Sequence, residues 1–583
     1  MIIFSRISTF LFVLFGTCNL TVFGQIQIGQ DLDGEGVNDF SGRAIAMPDN
    51  NTVAIGAYQN SGNGTESGHV RVYSRSGTTW IQKGLDIDGE SANDLSGWSL
   101  CMPNANTIAI GAFENDGGGV NSGHVRVYQW TGSAWSQKGL DINGLQLDEQ
   151  SGFSVSMPDA NTIAVGAILN DFSENNAGAV RVYQWLNNSW VQKGATIYGE
   201  AESDESGRVV QMPDPNTVAI SAPGNDDIGN NAGHVRVYVW QNNAWVQLGS
   251  DIDAEAADDG FGISLSMPNA TTFAAGAYGN SGGGFGSGSV RVFQWNGTTW
   301  SQKGNDIDGA AVHDESGMSV HMPDDNTVAI GAPGNDGNGP RSGHVRVYFW
   351  NGVNWVQHGA DINGEASYDE SGYSVYMPNR TMIAIGAPQN DGAIISNSGH
   401  VRVYSLCTDS INVQPQDFTA YAGVGWANFN CSYSDTSALY QWQTVIGPTW
   451  TNLTNQTNYA GALSDSLIIT GVTPAWNNRI YRCLITTNCT TDTTNPVFLT
   501  VQNGIGIEDE SQEALVISPN PTFGQVYLNK LFIGTMELVN ANGVLLFSKD
   551  ASHEVDLTFL SSGVYTLRLS NPVQTFVYRI LKM

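Results

Sequence analysis

The 583-residue chain carries 55 Asp and Glu against 24 Lys and Arg, a formal net charge of −31. This excess argues against nucleic acids and anionic membrane surfaces as partners, because both repel an acidic protein. The length allows several domains, and the 68 glycines are typical of a β protein rich in loops.

The first element in chain order, residues 1–24, is predicted to be a secretory signal peptide. Arg6 provides the positive region, the stretch from Ile7 to Phe23 is mostly apolar, and cleavage is expected before Gln25. A lipoprotein anchor at Cys18 is the alternative. No second hydrophobic span follows, so we expect a secreted or outer-surface protein with no transmembrane segment after signal removal.

Residues 25–406 contain seven copies of one unit, spaced 55 residues apart. Six copies open with Ser-Gly, as at Ser41, and the fifth has Phe261-Gly262 instead. Each unit contains four β-like segments, and a repeat of this length is typical of a propeller. The sequence therefore predicts an all-β chain that begins with a seven-bladed β-propeller. In the first copy the predicted strands are Gly42–Met47, Thr52–Ala57, Gly68–Tyr73 and Trp80–Ile87.

The two ends of the array complement each other. The seventh copy stops at Tyr404 and lacks the Trp-x-Gln-x-Gly segment of the other units. Ile26–Gly29 matches that segment, in register with Gln82 and Gly84. We expect this N-terminal strand to complete the last blade, which leaves no open blade interface.

Antiparallel succession places the loop between strands two and three on the same face as the crossover to the next unit. We call this side the loop face. Its loops are long and variable, and binding residues concentrate on such loops when a rigid scaffold holds them. No catalytic residue is predicted: Gly279–Gly283 matches G-x-S-x-G, but in a Gly-rich loop and not between a strand and a helix.

The crossovers carry Asp-x-Asp/Asn-Gly-Glu, followed by a further Asp. Oxygen ligands at alternate positions around a Gly turn suit a hard cation such as calcium, the one cofactor expected. The alternative is that these carboxylates cap turns or pair with arginine. Three copies break the motif, at Leu145, at Thr196 with Tyr198, and at Ala310. The candidate calcium ligands are Asp31, Asp33, Glu35, Asp39, Asp86, Asp88, Glu90, Asp94, Asp361, Asn363, Glu365 and Asp369.

One arginine occupies the same third-strand position in every copy, and a glycine interrupts the second strand in six copies. Glycine within a strand often marks close approach by another group. We expect each arginine to cross this glycine and meet a crossover carboxylate, setting the register between blades. These predicted structural arginines are Arg71, Arg126, Arg181, Arg236, Arg291, Arg346 and Arg402.

A histidine precedes the arginine by two residues in five copies, and a tryptophan marks the outer strand in six. The histidines are interpreted as packing or loop-tethering residues. The tryptophans are interpreted as outer-strand packing, with carbohydrate stacking as the alternative. The histidines are His69, His124, His234, His344 and His400.

The unit Asp314–Pro333, with its Ala-Ile-Gly-Ala-Pro and the following Gly-His-Val-Arg-Val-Tyr, resembles FG-GAP repeats of the integrin α-subunit propeller. The resemblance covers about residues 25–406 and implies an extracellular adhesion or ligand-binding platform. The family holds calcium in a loop between the first two strands. Here that turn is only Pro-Asp-Asp-Asn-Thr, so the family's calcium sites do not carry over.

Residues 407–503 resemble an immunoglobulin-like sandwich, through Cys431, Trp442, Tyr481 and Cys483. The resemblance suggests an inter-sheet disulfide Cys431–Cys483. Cys407 would then pair with Cys489, although four cysteines allow three connectivities. Cys101 stands alone in the second unit, with no role assigned.

Residues 504–514 form a polar, acidic linker. Residues 515–583 then resemble the C-terminal sorting domain of the Bacteroidetes type IX (Por) secretion system. Pro519-Asn-Pro521, Leu560–Leu567 and the basic end Arg579–Lys582 carry the match. The resemblance implies a small β-sandwich recognised by the type IX secretion machinery, with adhesion by this domain as the alternative.

The leading functional interpretation is a non-enzymatic binding or adhesion protein for an extracellular protein or glycan. An enzyme acting on extracellular polysaccharide is the first alternative, and the acidic run from Glu200 to Glu205 in the fourth copy is its only pointer. A structural surface component is the second. Fold class does not decide between them.

Overall fold

The computed structural model describes residues 25–392, 396–406, 411–422, 426–434, 438–446, 449–486, 491–502, 515–529, 532–571 and 575–583. The predicted signal peptide, the 504–514 linker, Cys407 and Cys489 lie outside this range. The regular secondary structure of the described residues is β-strand, apart from one 3-10 turn at Pro474–Trp476. None of their helices is long and apolar enough to cross a membrane. The chain divides into two compact units, one holding the sheets up to residue 501 and one those from residue 515.

Each copy of the repeat forms one antiparallel five-stranded sheet. We number the sheets by the copy that supplies the innermost strand. Their strands are as follows: first, Ala44–Asp49, Thr52–Ala57, His69–Ser76, Thr79–Gln82 and Ile87–Asp88; second, Ser99–Asn104, Thr107–Ala112, His124–Trp130, Trp135–Gln137 and Ile142–Asn143; third, Ser151–Asp159, Thr162–Ala167, Ala179–Leu186, Ser189–Gln192 and Ile197–Tyr198; fourth, Val210–Asp214, Thr217–Ala222, His234–Gln241, Ala244–Gln247 and Ile252–Asp253; fifth, Ser264–Asn269, Thr272–Ala277, Ser289–Trp295, Trp300–Gln302 and Ile307–Asp308; sixth, Ser319–Asp324, Thr327–Ala332, His344–Trp350, Trp355–Gln357 and Ile362–Asn363; seventh, Ser374–Asn379, Met382–Ala387, His400–Leu406, Gln25–Gln27 and Leu32–Asp33.

The predicted fourth strand is in fact two short strands. In the first sheet Thr79–Gln82 and Ile87–Asp88 both pair with His69–Ser76. Gly84 interrupts them with φ +87°, a conformation that favours glycine. The break bends the outer strand, and its second half leads into the crossover on the loop face.

The innermost strands of consecutive sheets contact each other in turn, and that of the seventh sheet contacts that of the first. Gln25–Gln27 pairs with His400–Leu406, the third strand of the seventh sheet. The hydroxyl of Ser374 also donates to the carbonyl of Gly42 at 2.7 Å. The seventh sheet is therefore built from both ends of the repeat array, and the series of sheets returns to its start.

The apolar core lies between neighbouring sheets. The second strands are buried along their whole length in all seven sheets. One cluster joins Val70 and Val72 of the first sheet to Ile108 and Ile110 of the second. Since each sheet is covered on both faces, its central strands are continuous apolar runs.

The expected reason for the second-strand glycines is wrong. A Cβ on Gly56 would lie 2.1 Å from the carbonyl oxygen of Gly97, which belongs to the next repeat. Arg71 is instead paired with Ile55. The glycine is required by the backbone of the next Ser-Gly dipeptide and not by the arginine.

Side chains at the middle of the innermost strands contact the next sheet. The ring centroids of His321 and Tyr376 lie 4.0 Å apart, and His321 Nδ1 accepts from the amide of Met377. Burial raises the pKa of Cys101 and of Tyr376 to about 12 and lowers that of His321 to about 3. Ser156 and Ser266 accept from the next sheet in the same way. Cys101 thus occupies a position that links neighbouring sheets.

The sheets between residues 411 and 502 form a separate layered arrangement. Trp442 and Tyr481 are fully buried, and Trp442 is paired with Cys483. The strands are Phe418–Tyr421, Val497–Gln502, Arg479–Thr486, Leu439–Ile446, Thr449–Asn452 and Thr491–Thr493 in one sheet, Trp426–Asn430, Ser466–Thr470 and Tyr459–Ala460 in a second, and Ile411–Val413 with Ser432–Tyr433 in a third.

The last unit has two sheets around one apolar core that includes Val526, Met536, Leu567 and Ile580. Asn520 of the Pro-Asn-Pro segment donates to the carbonyl of Arg579 at 2.6 Å and accepts from the amide of Leu581 at 2.9 Å. The strands are Ile517–Ser518, Gln525–Leu528 and Glu554–Asp556 in one sheet, and Leu545–Asp550, Thr535–Asn540, Gly563–Ser570 and Thr575–Lys582 in the other.

Candidate ligand-binding face

In six of the seven sheets, the arginine at the shared third-strand position contacts the crossover of the sheet before it. The guanidinium of Arg71 donates to the carbonyl of Asp33 at 2.6 Å and pairs with Glu35 at 3.2 Å. Asp33 lies in the seventh sheet and Arg71 in the first. The guanidinium is nearly buried, whereas Glu35 is half exposed.

The same contact recurs around the sheets. Arg126, Arg236 and Arg402 pair with the equivalent glutamates, and these three arginines and Arg291 donate to crossover carbonyls. The ion pairs are Arg126–Glu90 at 3.5 Å, Arg236–Glu200 at 3.2 Å and Arg402–Glu365 at 3.2 Å, and the carbonyls belong to Asp88, Tyr198, Asn363 and Asp253.

Two sheets change partner where the glutamate is missing. In the third sheet Leu145 replaces it, and Arg181 forms two hydrogen bonds of 2.9 Å with the buried Glu149. In the sixth sheet Ala310 replaces it, and Arg346 turns to Asp361 at 2.7 and 2.9 Å. Hydrogen bonding with Asp361 raises the pKa of Arg346.

The last carboxylate of each motif caps the crossover turn. Asp39 accepts from the amides of Glu35 and Gly36 and from the side chain of Asn60, at 3.2, 2.7 and 2.9 Å. Asp94 and Asp369 make equivalent contacts.

The four carboxylates of one crossover therefore point to different partners. Asp31 accepts from Gln27 at 2.5 Å, and Asp86 accepts from Gln82 at 2.6 Å. Asp88 and Asn363 lie opposite His69 and His344 in their sheets. Among the described crossovers, only Asp31 and Asp33 lie together, beside His400, and no crossover brings all of its predicted oxygen ligands to one point. Calcium binding there stays a prediction.

The structure instead gathers carboxylates around four of the histidines, in three cases from two successive crossovers and around His400 from one. The carboxylate oxygens and one imidazole nitrogen lie within 4.8 Å of one another in each group. Burial lowers the pKa of His69, His124 and His400 to about 4, so these rings are neutral at pH 7. The groups are Glu35, His69 and Asp86; Glu90, His124 and Asp141; Asp31, Asp33 and His400; and Glu200, Asp227, His234 and Asp251.

These groups were missed from the sequence because their members are far apart in the chain. One signal was present: the third copy loses all three residue types together, with Leu145, Ala179 and Thr196 in their places. Residues that change together within a repeat indicate a shared contact. Four of the histidines interpreted as packing residues lie beside carboxylates, which packing alone does not explain.

The outer-strand tryptophans join neighbouring sheets. The indole of Trp80 donates to the carbonyl of Ile28 at 2.8 Å, and the other five blade tryptophans make equivalent bonds of 2.8 to 3.0 Å. The ammonium of Lys83 lies 5.2 Å from both Trp130 and Trp135. These indoles hold neighbouring sheets together.

A cleft on the loop face brings aromatic and acidic side chains together. Its volume is about 580 Å³, and Tyr278, Phe285 and His313 lie beside Asp258 and Glu315. Phe285 is 72% exposed, and its ring contacts that of His313 edge-on at 5.3 Å. An adjoining cleft of about 350 Å³ shares Tyr278 and Asp258.

A second recess of about 240 Å³ opens where the innermost strands begin. Arg43 lies over the rings of Trp98 and Tyr373, at 4.2 and 4.7 Å, and Arg208 lies over Phe153 at 4.9 Å. Each of these residues follows a Ser-Gly dipeptide. In the sequence, the residue after the Ser-Gly dipeptide varies from copy to copy while the dipeptide itself recurs, and this contrast could have pointed to the recess.

The sequence matches no protein-family model and no curated protein. Among solved structures, it resembles the twitchin kinase region from C. elegans at 20% identity over 16% of each chain, with a TM-score of 0.14. The Ig-like domain of human leucine-rich repeat-containing protein 4 is 18% identical over 16% of this chain and 89% of that one, with a TM-score of 0.14. The Ig1-2 module of Drosophila receptor protein tyrosine phosphatase DLAR is 13% identical over 30% of this chain and 98% of that one, with a TM-score of 0.17. Scores this low carry no argument.

Proposed function

We propose that this chain is a non-enzymatic binding protein, secreted or held at the outer cell surface. It binds an extracellular glycan on the loop face of a seven-bladed β-propeller of the FG-GAP type. Seven repeated sheets, the contact between the first and seventh, and the pairing of Gln25–Gln27 with the last repeat support this architecture. The arginine contacts hold the crossovers in the same place from sheet to sheet.

The observation that carries the ligand class is the aromatic cleft. Exposed Tyr278 and Phe285 offer flat apolar surfaces, and Asp258 offers a hydrogen-bond acceptor beside them. Glu315, also in the lining, is held in place by two hydrogen bonds from Arg341. Ligand sites combine a mainly apolar lining with a few fixed polar groups. A sugar ring has the matching chemistry, with apolar faces and hydroxyl edges.

A glycan array probed with the purified chain tests this function. Phe285→Ala should weaken the strongest array signal about tenfold, the effect of losing one central aromatic contact of about 1.4 kcal/mol. Phe172→Ala is the matched control, since Phe172 is 68% exposed in the third sheet's loop and lies outside the cleft. Equal loss in both variants, or no glycan signal at all, would contradict the proposal and favour a protein ligand.

Calcium enters this proposal only as an aid to the crossovers. Titration of the purified chain with Ca²⁺ should release heat and raise the melting temperature if these carboxylates bind the ion. No heat and no shift would assign them to arginine pairing and turn capping.

Export is proposed to follow the type IX route, with residues 515–583 as the sorting domain. The contact of Asn520 with Arg579 and Leu581 supports this, because it joins two of the segments that carry the resemblance. The sequence between residues 407 and 503 is proposed to be an immunoglobulin-like spacer. The buried pair of Trp442 and Cys483 supports that interpretation.

A further inference from the structure

The fourth sheet holds a set of side chains that no other described sheet reproduces. Glu200 and Asp251 come from the crossovers before and after the third strand, and His234 begins that strand. Asp227 adds a third carboxylate from the loop between strands two and three. The oxygens of the three carboxylates and one nitrogen of His234 lie within 4.8 Å of one another.

Asp227 is what distinguishes this copy. The first, second, fifth and sixth copies carry glycine at this place, and the third carries Phe172. The backbone arrangement is shared, since the amide of Asp227 donates to Asn225 at 3.0 Å, as that of Gly62 does to Asn60 at 2.8 Å. The extra carboxylate therefore enters a group already present elsewhere without a change in the loop.

The imidazole of His234 has no hydrogen-bond partner among the described residues. Its side chain is 0% exposed, and neither ring nitrogen makes a hydrogen bond there. A buried polar atom left without a partner costs about 1–3 kcal/mol, so it normally has a function or a bound species that accounts for it. The nearest polar atoms to this ring include the three carboxylates of the group.

The charges are also unbalanced. Glu200, Asp227 and Asp251 bring three negative charges, and the guanidinium of Arg236, 3.2 Å from Glu200, compensates one of them. The two uncompensated carboxylates lie within 4.8 Å of the other ligand atoms of the group and repel each other. A cation at this point would relieve that repulsion.

We propose that Glu200, Asp227, His234 and Asp251 form a binding site for one divalent cation of the Zn²⁺ class. Nitrogen together with oxygen ligands suits this class, whereas Ca²⁺ takes oxygen ligands alone. Ligands of a tetrahedral zinc ion lie about 3.4 Å apart, so the group must contract by at most roughly 1.4 Å. Glu200 and Asp227 are exposed and lie outside the strands, so they supply that movement.

The test is calorimetric titration of the metal-free, purified full chain with ZnCl2. We expect one saturable site per chain, and at least tenfold weaker binding after Asp227→Gly, which copies the residue of the first and second repeats. The variant should melt at the wild-type temperature without metal. His234→Ser, which copies Ser289 of the fifth repeat, should remove the imidazole signature from the absorption spectrum of the Co²⁺ form.

A gain of function gives the complementary test. Gly62→Asp places a third carboxylate beside Glu35, His69 and Asp86, and a Cβ there would lie 3.0 Å from the flexible side chain of Asn60. We expect a second zinc site in this variant. Unchanged affinity in Asp227→Gly, no saturable binding, or displacement of Zn²⁺ by equimolar Ca²⁺ would overturn the proposal.

Discussion

Arg181 and Glu149 form two hydrogen bonds of 2.9 Å, with side chains that are 4% and 0% exposed. In the copies with the full motif an aspartate occupies the place of Glu149 and a glutamate that of Leu145. The third copy has Leu145 in place of the glutamate, and Glu149 is one methylene longer than the aspartate that it replaces. The carboxylate thereby reaches the guanidinium that the missing side chain would have met.

Breaking this pair is expected to destabilise the sheets strongly. Glu149→Gln leaves the Arg181 guanidinium buried without its counter-charge, which costs about 3–5 kcal/mol. Calorimetric melting of the purified chain measures the effect. The double variant Leu145→Glu with Glu149→Asp restores the arrangement of the other copies and should melt close to the wild type. A wild-type melting temperature for Glu149→Gln would show that the pair contributes nothing.

Acid should weaken the sheets through His321. Its pKa is lowered by burial from 6.5 to about 3 in the folded chain. Between those values the unfolded chain binds a proton that the folded chain does not, so the free energy of unfolding falls as the pH drops from 6.5 towards 3. Above pH 6.5 this histidine costs no stability.

His321→Ser, which copies Ser266 of the fifth repeat, should reduce the fall in melting temperature over that pH range, while His69, His124 and His400 keep the remaining slope. His553→Ser, at an exposed position of the C-terminal unit, is the control and should keep the wild-type slope. A His321→Ser curve that parallels the wild type would remove His321 as the cause.

Oxidation should join Cys431 and Cys483 when the protein is kept without a reductant. Both thiols are buried and unbonded in this structure, and hydrogen bonding with Cys431 raises the pKa of Cys483. The disulfide is expected to add about 2–4 kcal/mol to the unfolding free energy of its domain. Peptide mapping without reduction should recover the two residues as one linked peptide. Alkylation of both in the unreduced, denatured protein would refute the bond.

Asn520 should matter for the C-terminal unit and for export. Asn520→Ala removes its bonds to Arg579 and Leu581, each worth about 1 kcal/mol. We expect a lower melting temperature for this unit and less of the chain in the medium of expressing cells. Asn542→Ala, in an exposed turn, is the matched control, and equal export of both variants would argue against the role of this contact.

Several features followed from the pattern of the repeat. Alternating apolar residues and turn signals predicted strands, and the described residues are indeed all-β. Strand identity depends on local pattern and burial, both of which are readable in one unit. The break at Gly84 was missed, because one glycine within a predicted strand does not show which way the backbone turns.

The crossover residues show where such reasoning ended. The motif suggested that Asp31, Asp33, Glu35 and Asp39 act together, since they are close in sequence. In the structure Asp39 caps its own turn, Glu35 meets Arg71, and Asp31 and Asp33 lie near His400. Only Leu32–Asp33 of this segment is strand, and the turn that follows it carries Glu35 and Asp39 away from Asp31 and Asp33.

The sequence alone determined the seven-fold repeat, the β class and the positions that would carry charge, because these depend on periodicity and residue type. Only the tertiary structure decided which carboxylate meets which cation. That choice depends on distances of a few ångströms between sheets, as the exchange of Leu145 and Glu149 around Arg181 illustrates. It also decided that Glu200, Asp227, His234 and Asp251 meet, because two crossovers and one loop converge at the start of a single strand.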